Sequence, residues 1–457
     1  MAKQLENDLT EGNILKKLVG FATPILLANI LQTLYSLVDT LVVGQFEGTV
    51  GISAVTVGSQ LSFLLTTVGM GFSSGGQIVI AQLKGAGDKK GQKEIIGALL
   101  SLSAIVGIIV GIIGVAIYSP ALKIFNTPAE SWKQAGDYMI ITSIGMIFVF
   151  LYNATSCIMR GLGDSTRPLI FIAIASVVNI ILDILFVGPL GMGVAGAAWA
   201  TIAAQAASAA FGFVYLYRRR ERFVFDFKLS SFALKKKWVK ELCRMGIPLM
   251  IQMSAINLSM SVMLSLVNVY GLAASATIGI GNKITQVCCM PYHAVDTAGC
   301  AMCGQNIGAG KPERVKKIVN IVLLANMAVT VVTTIIILLI PEKLVAIFDK
   351  DPEVIELCTL FLKLHIINNL CQGLFTAYNC SCLGSGNALL STIAFLTDGV
   401  VLRLSLCIIL TFVFDMGLFG LFLANAVAPA GAALILGAYH YSGKWQTFKK
   451  RISKPEN

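Results

Sequence analysis

Charge is scarce in this sequence. Asp, Glu, Lys and Arg make up 13% of its 457 residues and hydrophobic residues 56%. Soluble domains carry roughly 25% charged residues, so this composition, with a mean hydropathy of +0.78, is that of an integral membrane protein. Long polar stretches are also missing, which leaves no room for a large soluble domain. The amino-terminal MAKQLENDLTEGNILKK is polar for too long to be a cleaved signal peptide. Histidine is nearly absent, and His293, His365 and His440 are scattered. That bears on the eleven cysteines. Cys300-Ala-Met-Cys303 and Cys380-Ser-Cys382 have spacings seen at metal sites, but no nearby His completes a set of four. The cysteines therefore read as small apolar side chains of a protein on the reducing side.

Apolar runs long enough to span a bilayer recur along the chain, for example IGALLSLSAIVGIIVGIIGVAIY (96–118) and IVNIVLLANMAVTVVTTIIILLI (318–340). Each exceeds the roughly 20 residues a helix needs to cross about 30 Å of hydrocarbon. Hydropathy and punctuation predict twelve helices, at 14–44, 49–82, 93–118, 130–160, 165–187, 192–217, 237–270, 273–307, 313–340, 353–383, 388–413 and 417–442. The two tails and the even-to-odd connections hold 28 of the 35 basic residues. The opposite loops hold only Lys123, Lys133, Lys343 and Lys350. By the positive-inside rule both termini are expected in the cytoplasm, in a multi-pass protein of the plasma (inner) membrane. The net charge of +11 then reflects topology and attraction to anionic lipid. It implies no nucleic acid, and no obligatory protein partner is evident.

The two halves repeat. GFATPILL (20–27) pairs with RMGIPLMI (244–251), setting Pro24 against Pro248, and AQLKGAG (81–87) pairs with GQNIGAG (304–310). RGLGDS (160–165) pairs with LGSGNA (383–388), and GMGVAGAAWA (191–200) with DMGLFGLFLA (415–424). Every pair is offset by 223 or 224 residues. Six spans per half is an even number, so both halves insert the same way up, as a parallel repeat about an axis along the membrane normal. The expected fold is an all-α polytopic membrane protein of twelve transmembrane helices in two parallel six-helix repeats. The N-lobe is 1–217, a basic cytoplasmic linker 218–244, and the C-lobe 245–457.

Within the fifth predicted span, SVVNIILDILFV (176–187) carries Asp183 with Asn179 one turn earlier. A carboxylate at that depth costs about 2.5–3.5 kcal/mol on insertion scales. Residues four apart share one helix face. In the first span Asp39 lies in YSLVDTLVVG, and Gln32, Tyr35 and Asp39 fall on one stripe suited to lining a cavity. Two carboxylates close together in low dielectric repel, and either Na⁺ or a shared proton relieves that repulsion. Amide, hydroxyl and carboxylate oxygens are hard ligands that suit Na⁺ as well. The bland readings are that Asp183 merely hydrogen-bonds Asn179 to pin helices and that Asp39 is hydrated near the outer interface. Asn153, two helix turns before RGLGD, is a further pocket candidate, and the aromatic rings of Tyr35, Tyr152 and Phe63 offer stacking faces for a cationic solute. Arg403 lies at or beside the offset equivalent of Asn179 and reads as structural, with Asp398 its nearest acid in sequence. Lys283, in GIGNKITQ, fits a polar cavity lining or a helix pin equally.

Pro24, TLYSLVDTLVVGQ around Asp39, the glycine-rich turn after the second span, RGLGDSTRP, NIILD and GQNIGAG together resemble the multidrug and toxic compound extrusion (MATE) family of secondary transporters, over nearly the full length. The resemblance implies two six-helix lobes around a central cavity. It implies efflux of organic cations or other amphiphilic compounds driven by inward Na⁺ or H⁺, with no other cofactor. It assigns a coupling-cation site in the N-lobe to Asp39, Asn179, Asp183 and Thr201, and alternating access with Pro24 as a hinge, where a missing N–H already weakens the helix. The substrate cavity would include Gln32, Tyr35 and Asn153. Many relatives carry an acid on the seventh span eight residues after the proline; here that position is Ile256, so the N-lobe is expected to carry the coupling alone.

Other readings compete. Gly161-Leu-Gly163-Asp164 spells the GxGD signature of intramembrane aspartyl proteases, and two carboxylates suit acid–base work. But it sits at a turn, and its repeat partner Gly384-Ser-Gly386-Asn387 has no acid. A transporter of the major facilitator type shares the parallel six-helix repeats and is loosely echoed by GAGDKKGQK (85–93), yet it leaves NIILD and GQNIGAG unexplained. A flippase for lipid-linked sugars calls for a strongly cationic cavity, where this N-lobe is acidic.

Overall fold

The computed structural model describes residues 8–446, which are helical almost throughout. Helices α1 (14–47) and α2 (49–85) form one run broken only at Gly48, whose φ of 64° and ψ of −153° lie outside any helix. Then follow α3 (Lys89–Ile124), α4 (Trp132–Ile144 with Met146–Gly161), α5 (Thr166–Val187) and α6 (Gly193–Arg218). The second half holds α7 (Lys236–Asn268), α8 (Leu272–Gly308), α9 (Pro312–Leu339), α10 (Pro352–Gly384), α11 (Ala388–Val413) and α12 (Gly417–Tyr441). A short helix, Pro341–Ala346, precedes α10. These twelve segments are the twelve expected spans, with ends moved by a few residues. Among the described residues α8 is long enough to cross a membrane but not apolar enough to stand out by hydropathy, since it carries Asn282, Lys283, His293 and Asp296.

One expected straight span is bent. The two parts of α4 meet at 50° around Gly145, where an added Cβ would lie 2.4 Å from Ile202 of α6. Backbone and side chain therefore meet at the bend.

The described chain divides into two compact units. One is Thr23–Met250 with Asp8; the other is Leu9–Ala22 with Ile251 onward. The expectation had split the chain at the 218–244 connection, and the observed division differs in that Leu9–Ala22 packs with the second half. Polar contacts hold it there. Leu9 N–H donates to Gln305 Oε1 (3.2 Å), Asn306 Nδ2 to Leu9 O (3.0 Å) and Arg314 to Gly12 O (2.8 Å).

The repeat is visible in the backbone. Gly87 and Gly310 both turn the chain at φ 71°, and Gly163 and Gly386 at φ 87° and 85°. Only glycine enters this left-handed region without strain. The GLGD turn has a structural role as well. Asp164 accepts from the backbone N–H groups of Thr166 and Arg167 (both 3.1 Å) at the start of α5, which accounts for the acid without any proteolytic chemistry.

In the first unit α2 and the start of α7 cross at backbone contact. A Cβ at Gly71 would lie 2.8 Å from Met250 N, and one at Gly246 2.8 Å from Phe72 Cα. Gly71 and Gly75 are spaced as small residues are at close membrane-helix crossings. In the second unit α11 departs from α-helical geometry over Thr397–Leu402, a π-helical turn. Asp398 and Arg403 are five apart and would diverge on a regular helix; the wider turn brings them to one side. Arg403 pairs with Asp398 at 2.9 Å and also donates to Asn425, with both members of the pair buried. The structural reading of Arg403 holds, while Lys283 is exposed and pins nothing.

The 218–244 connection, expected as a plain linker, is folded onto α3. Phe225, Phe227 and Phe232 form an edge-to-face cluster with centroids 4.7–6.1 Å apart, and Ser101 donates to Phe232 O (2.8 Å). Gly97 permits the approach, because a Cβ there would lie 1.8 Å from Ser231 O. Lys93 meets Asp226 at 2.6 Å. That ammonium first, and the Ser231 hydroxyl second, hold the Asp226 carboxyl well below the usual carboxylate range.

Gly97→Ala should detach the connection, read as faster hydrogen exchange over 225–235 with the helices still protected; unchanged exchange would mean the contact is not required. A depressed carboxylate contributes above its unfolded pKa of about 4 and loses that contribution as pH falls further. The docking should therefore be as protected at pH 5 as at pH 7, and weaker in Asp226→Asn at both. Replacing Arg403 by Met leaves Asp398 buried and unpaired, which should cost about 3–5 kcal/mol. Thermal unfolding in detergent reads this, with most of the loss recovered when Asp398→Asn is added.

Candidate functional site

Inside the first unit, α1, α5 and α6 each turn a polar stripe toward one place. Asp39 comes from α1, Asn179 and Asp183 from α5, and Thr201 from α6. Asp39 is 6% exposed, Asn179 1% and Asp183 0%, so neither acid faces lipid and Asp39 is no surface group. The Asp39 and Asp183 carboxylates lie near enough to repel each other. Both acids thus lie buried in the same unit.

Their hydrogen bonding is incomplete. Both Asp183 oxygens, Asp39 Oδ1 and both polar atoms of the Asn179 amide have no hydrogen-bond partner. The bland reading required Asp183 to be pinned by Asn179, and no such bond forms. Groups of this kind cost free energy when left unmade. Oxygens from two carboxylates and an amide, all buried and all unpartnered, fit a small hard cation or a proton. Thr201 adds a hydroxyl whose oxygen has capacity for more than one partner.

Beside these residues lies a small cavity lined by Tyr35, Ser176, Asn179, Thr201, Ala204 and Gln205, with Ile172 and Ala175. It has room for about one water. Tyr35 is in this lining, whereas Gln32, expected in the same cavity, is exposed and outside it. Asn153 does not join the lining; its amide donates to Val149 O of its own helix at 2.9 Å. Three lining or neighbouring residues were not singled out from the sequence. Gln205 stands four residues after Thr201 and Ser176 three before Asn179, so helical spacing held a signal for both. Tyr138, on α4, meets the site only through packing.

The same positions in the second unit are chemically opposite. Residues 224 further along from Asp39, Asn179, Asp183 and Thr201 are Met263, Arg403, Cys407 and Asn425. Met263 and Cys407 belong to an apolar cluster, and the guanidinium of Arg403 bonds Asn425 and Asp398.

The profile of the MatE family matches residues 24–185 and 248–409, two segments whose starts and ends are each 224 apart. The probable multidrug resistance protein YpnP of Bacillus subtilis is 34% identical over 312 residues, covering 67% of this chain and 68% of its own. The probable multidrug resistance protein YoeA of the same organism is 27% identical over 439 residues, 95% of this chain and 94% of its own. In fold, the chain is similar to a MATE crystal structure in a straight conformation, with a TM-score of 0.89 at 22% identity over 98% of this chain and 100% of that one. On the matched repeats and the shared twelve-helix architecture, the chain belongs to the MatE family, whose members are membrane transporters and not enzymes.

Proposed function

We propose that the chain is a cation-coupled antiporter that exports organic cations or amphiphilic drug-like compounds by alternating access, in exchange for Na⁺ or H⁺. One observation carries this reading: two buried carboxylates and an amide converge in the first unit without the hydrogen bonds that would satisfy them. Asp39, Asn179, Asp183 and Thr201 hold the coupling cation. A cation there removes the repulsion between the acids, so its affinity depends on how the three helices are set. A solute can shift a conformational equilibrium only through such differential affinity. Pro24, on the same helix as Asp39, is where α1 bends between states.

Two relatives are described as probable multidrug resistance proteins, which supports small amphiphilic substrates, with Tyr35 and Gln32 as contacts and the ring of Tyr35 as a face for a cation. Membrane potential adds about 2.3 kcal/mol per charge per 100 mV, enough for roughly fifty-fold accumulation at that voltage. The protein works in the plasma membrane with both termini in the cytoplasm, as the distribution of its basic residues favours. Neither nucleic acid nor a protein partner is required.

Proteoliposomes with Na⁺ and pH gradients imposed separately test the scheme. Uphill efflux of a fluorescent organic cation is expected under at least one gradient and should fall at least about tenfold, or ~1.4 kcal/mol, in Asp39→Asn and in Asp183→Asn. Undiminished uphill efflux in both correctly inserted variants would refute the coupling role. Where Na⁺ is the ion, it should raise the melting temperature of the wild type by mass action and leave that of Asp183→Asn unmoved.

A further inference from the structure

Cys358 and Cys407 pack as apolar side chains, but two other cysteines are placed differently. Asp296 and Cys300 are one turn apart on α8, and Cys380 faces them from α10. Cys300 Sγ lies 3.5 Å and Cys380 Sγ 3.7 Å from the same oxygen, Asp296 Oδ1. All three donor atoms lie within 4.8 Å of one another. For a tetrahedral ion with metal–sulfur bonds of about 2.3 Å and metal–oxygen bonds of about 2.0–2.2 Å, donors stand roughly 3.5–3.8 Å apart. The observed spacings match. Sequence spacing alone does not reveal this set, because Cys380 stands on a different helix from Asp296 and Cys300 and the third donor is an acid instead of a histidine.

The surroundings are built for the same geometry. Asn379 Nδ2 donates to Asp296 Oδ1 at 3.3 Å, and Ser391 Oγ of α11 donates to Asn379 Oδ1 at 2.7 Å. This relay orients the carboxylate as outer-shell partners orient metal ligands. Gly299 makes room, since a Cβ there would lie 2.5 Å from Cys380 Sγ. Cys300 and Cys380 are 2% and 0% exposed, while Asp296 is half-buried and gives solute a way in.

We propose that Asp296, Cys300 and Cys380 bind a thiophilic divalent cation of the zinc class, with the fourth position open to water. The Cys300 thiol now donates to the carboxylate, and the Cys380 thiol lies between that carboxylate and Thr376 O (3.3 Å). The incoming ion takes the place of both protons, which pass to solvent, and two metal–sulfur bonds and one metal–oxygen bond form. Two sulfur donors disfavour Na⁺, Mg²⁺ and Ca²⁺, so this site is chemically separate from the oxygen set at Asp39 and Asp183. A bound ion ties α8 to α10.

The test uses the full chain, reduced and in detergent, titrated with Co²⁺ and then Zn²⁺. One Co²⁺ per chain should bind with sulfur-to-metal charge-transfer absorption in the near ultraviolet, and Zn²⁺ should abolish the band. Cys300→Ser and Cys380→Ser should lose it, and Cys358→Ser, in a separate apolar cluster, should keep it. Asn379→Ala, which touches no metal, should weaken affinity 10- to 100-fold and guards against a misfolded cysteine variant. Absence of the band at millimolar Co²⁺ overturns the proposal. So does a band that persists undiminished in both Cys300→Ser and Cys380→Ser.

Discussion

A carboxylate removed from water must recover the lost solvation from a proton, a cation or several hydrogen-bond donors. At Asp183 the protein supplies no such donor, although the residue is fully enclosed. Its partner acid, Asp39, makes the shortfall worse by repulsion. Close packing beside α6, which brings Thr201, is helped by a small residue, since Gly145 of α4 meets Ile202. Close packing keeps lipid and bulk water from satisfying the acids, and leaves a cavity of about one water beside them.

The second unit answers the same constraint differently. Arg403 stands 224 residues after Asn179, and its guanidinium is tied to Asp398 and Asn425. This positive charge is covalently part of the chain, and it neither leaves nor exchanges. With Met263 and Cys407 at the places of the two acids, and Ile256 facing the π-helical turn near Gly399, the duplicated fold carries buried unpartnered acids in one unit and a paired guanidinium in the other.

Much of this was legible in the sequence because membrane constraints are severe. Apolar runs fixed the spans to within a few residues, and the glycine turns fixed the repeat. Asp39 and Asp183 stood out because charge is rare in such runs. What escaped depended on contacts between distant segments. The bend of α4 comes from Ile202 packing at Gly145, and the folding of 218–244 onto α3 comes from the bare backbone of Gly97. Asn153 is polar and at a plausible depth, yet its own helix satisfies it. Of the stripe Gln32, Tyr35 and Asp39, Tyr35 alone lines the small cavity. No spacing rule reaches from Asp296 to Cys380.

The helices α1 and α7 each pass from one compact unit to the other, the first between Ala22 and Thr23, the second between Met250 and Ile251. Pro24 and Pro248 stand within two residues of these crossings, where the helix lacks one rung of its hydrogen-bond ladder. The two repeats thus carry a missing rung at equivalent places, 224 residues apart, each beside the point where the chain changes unit.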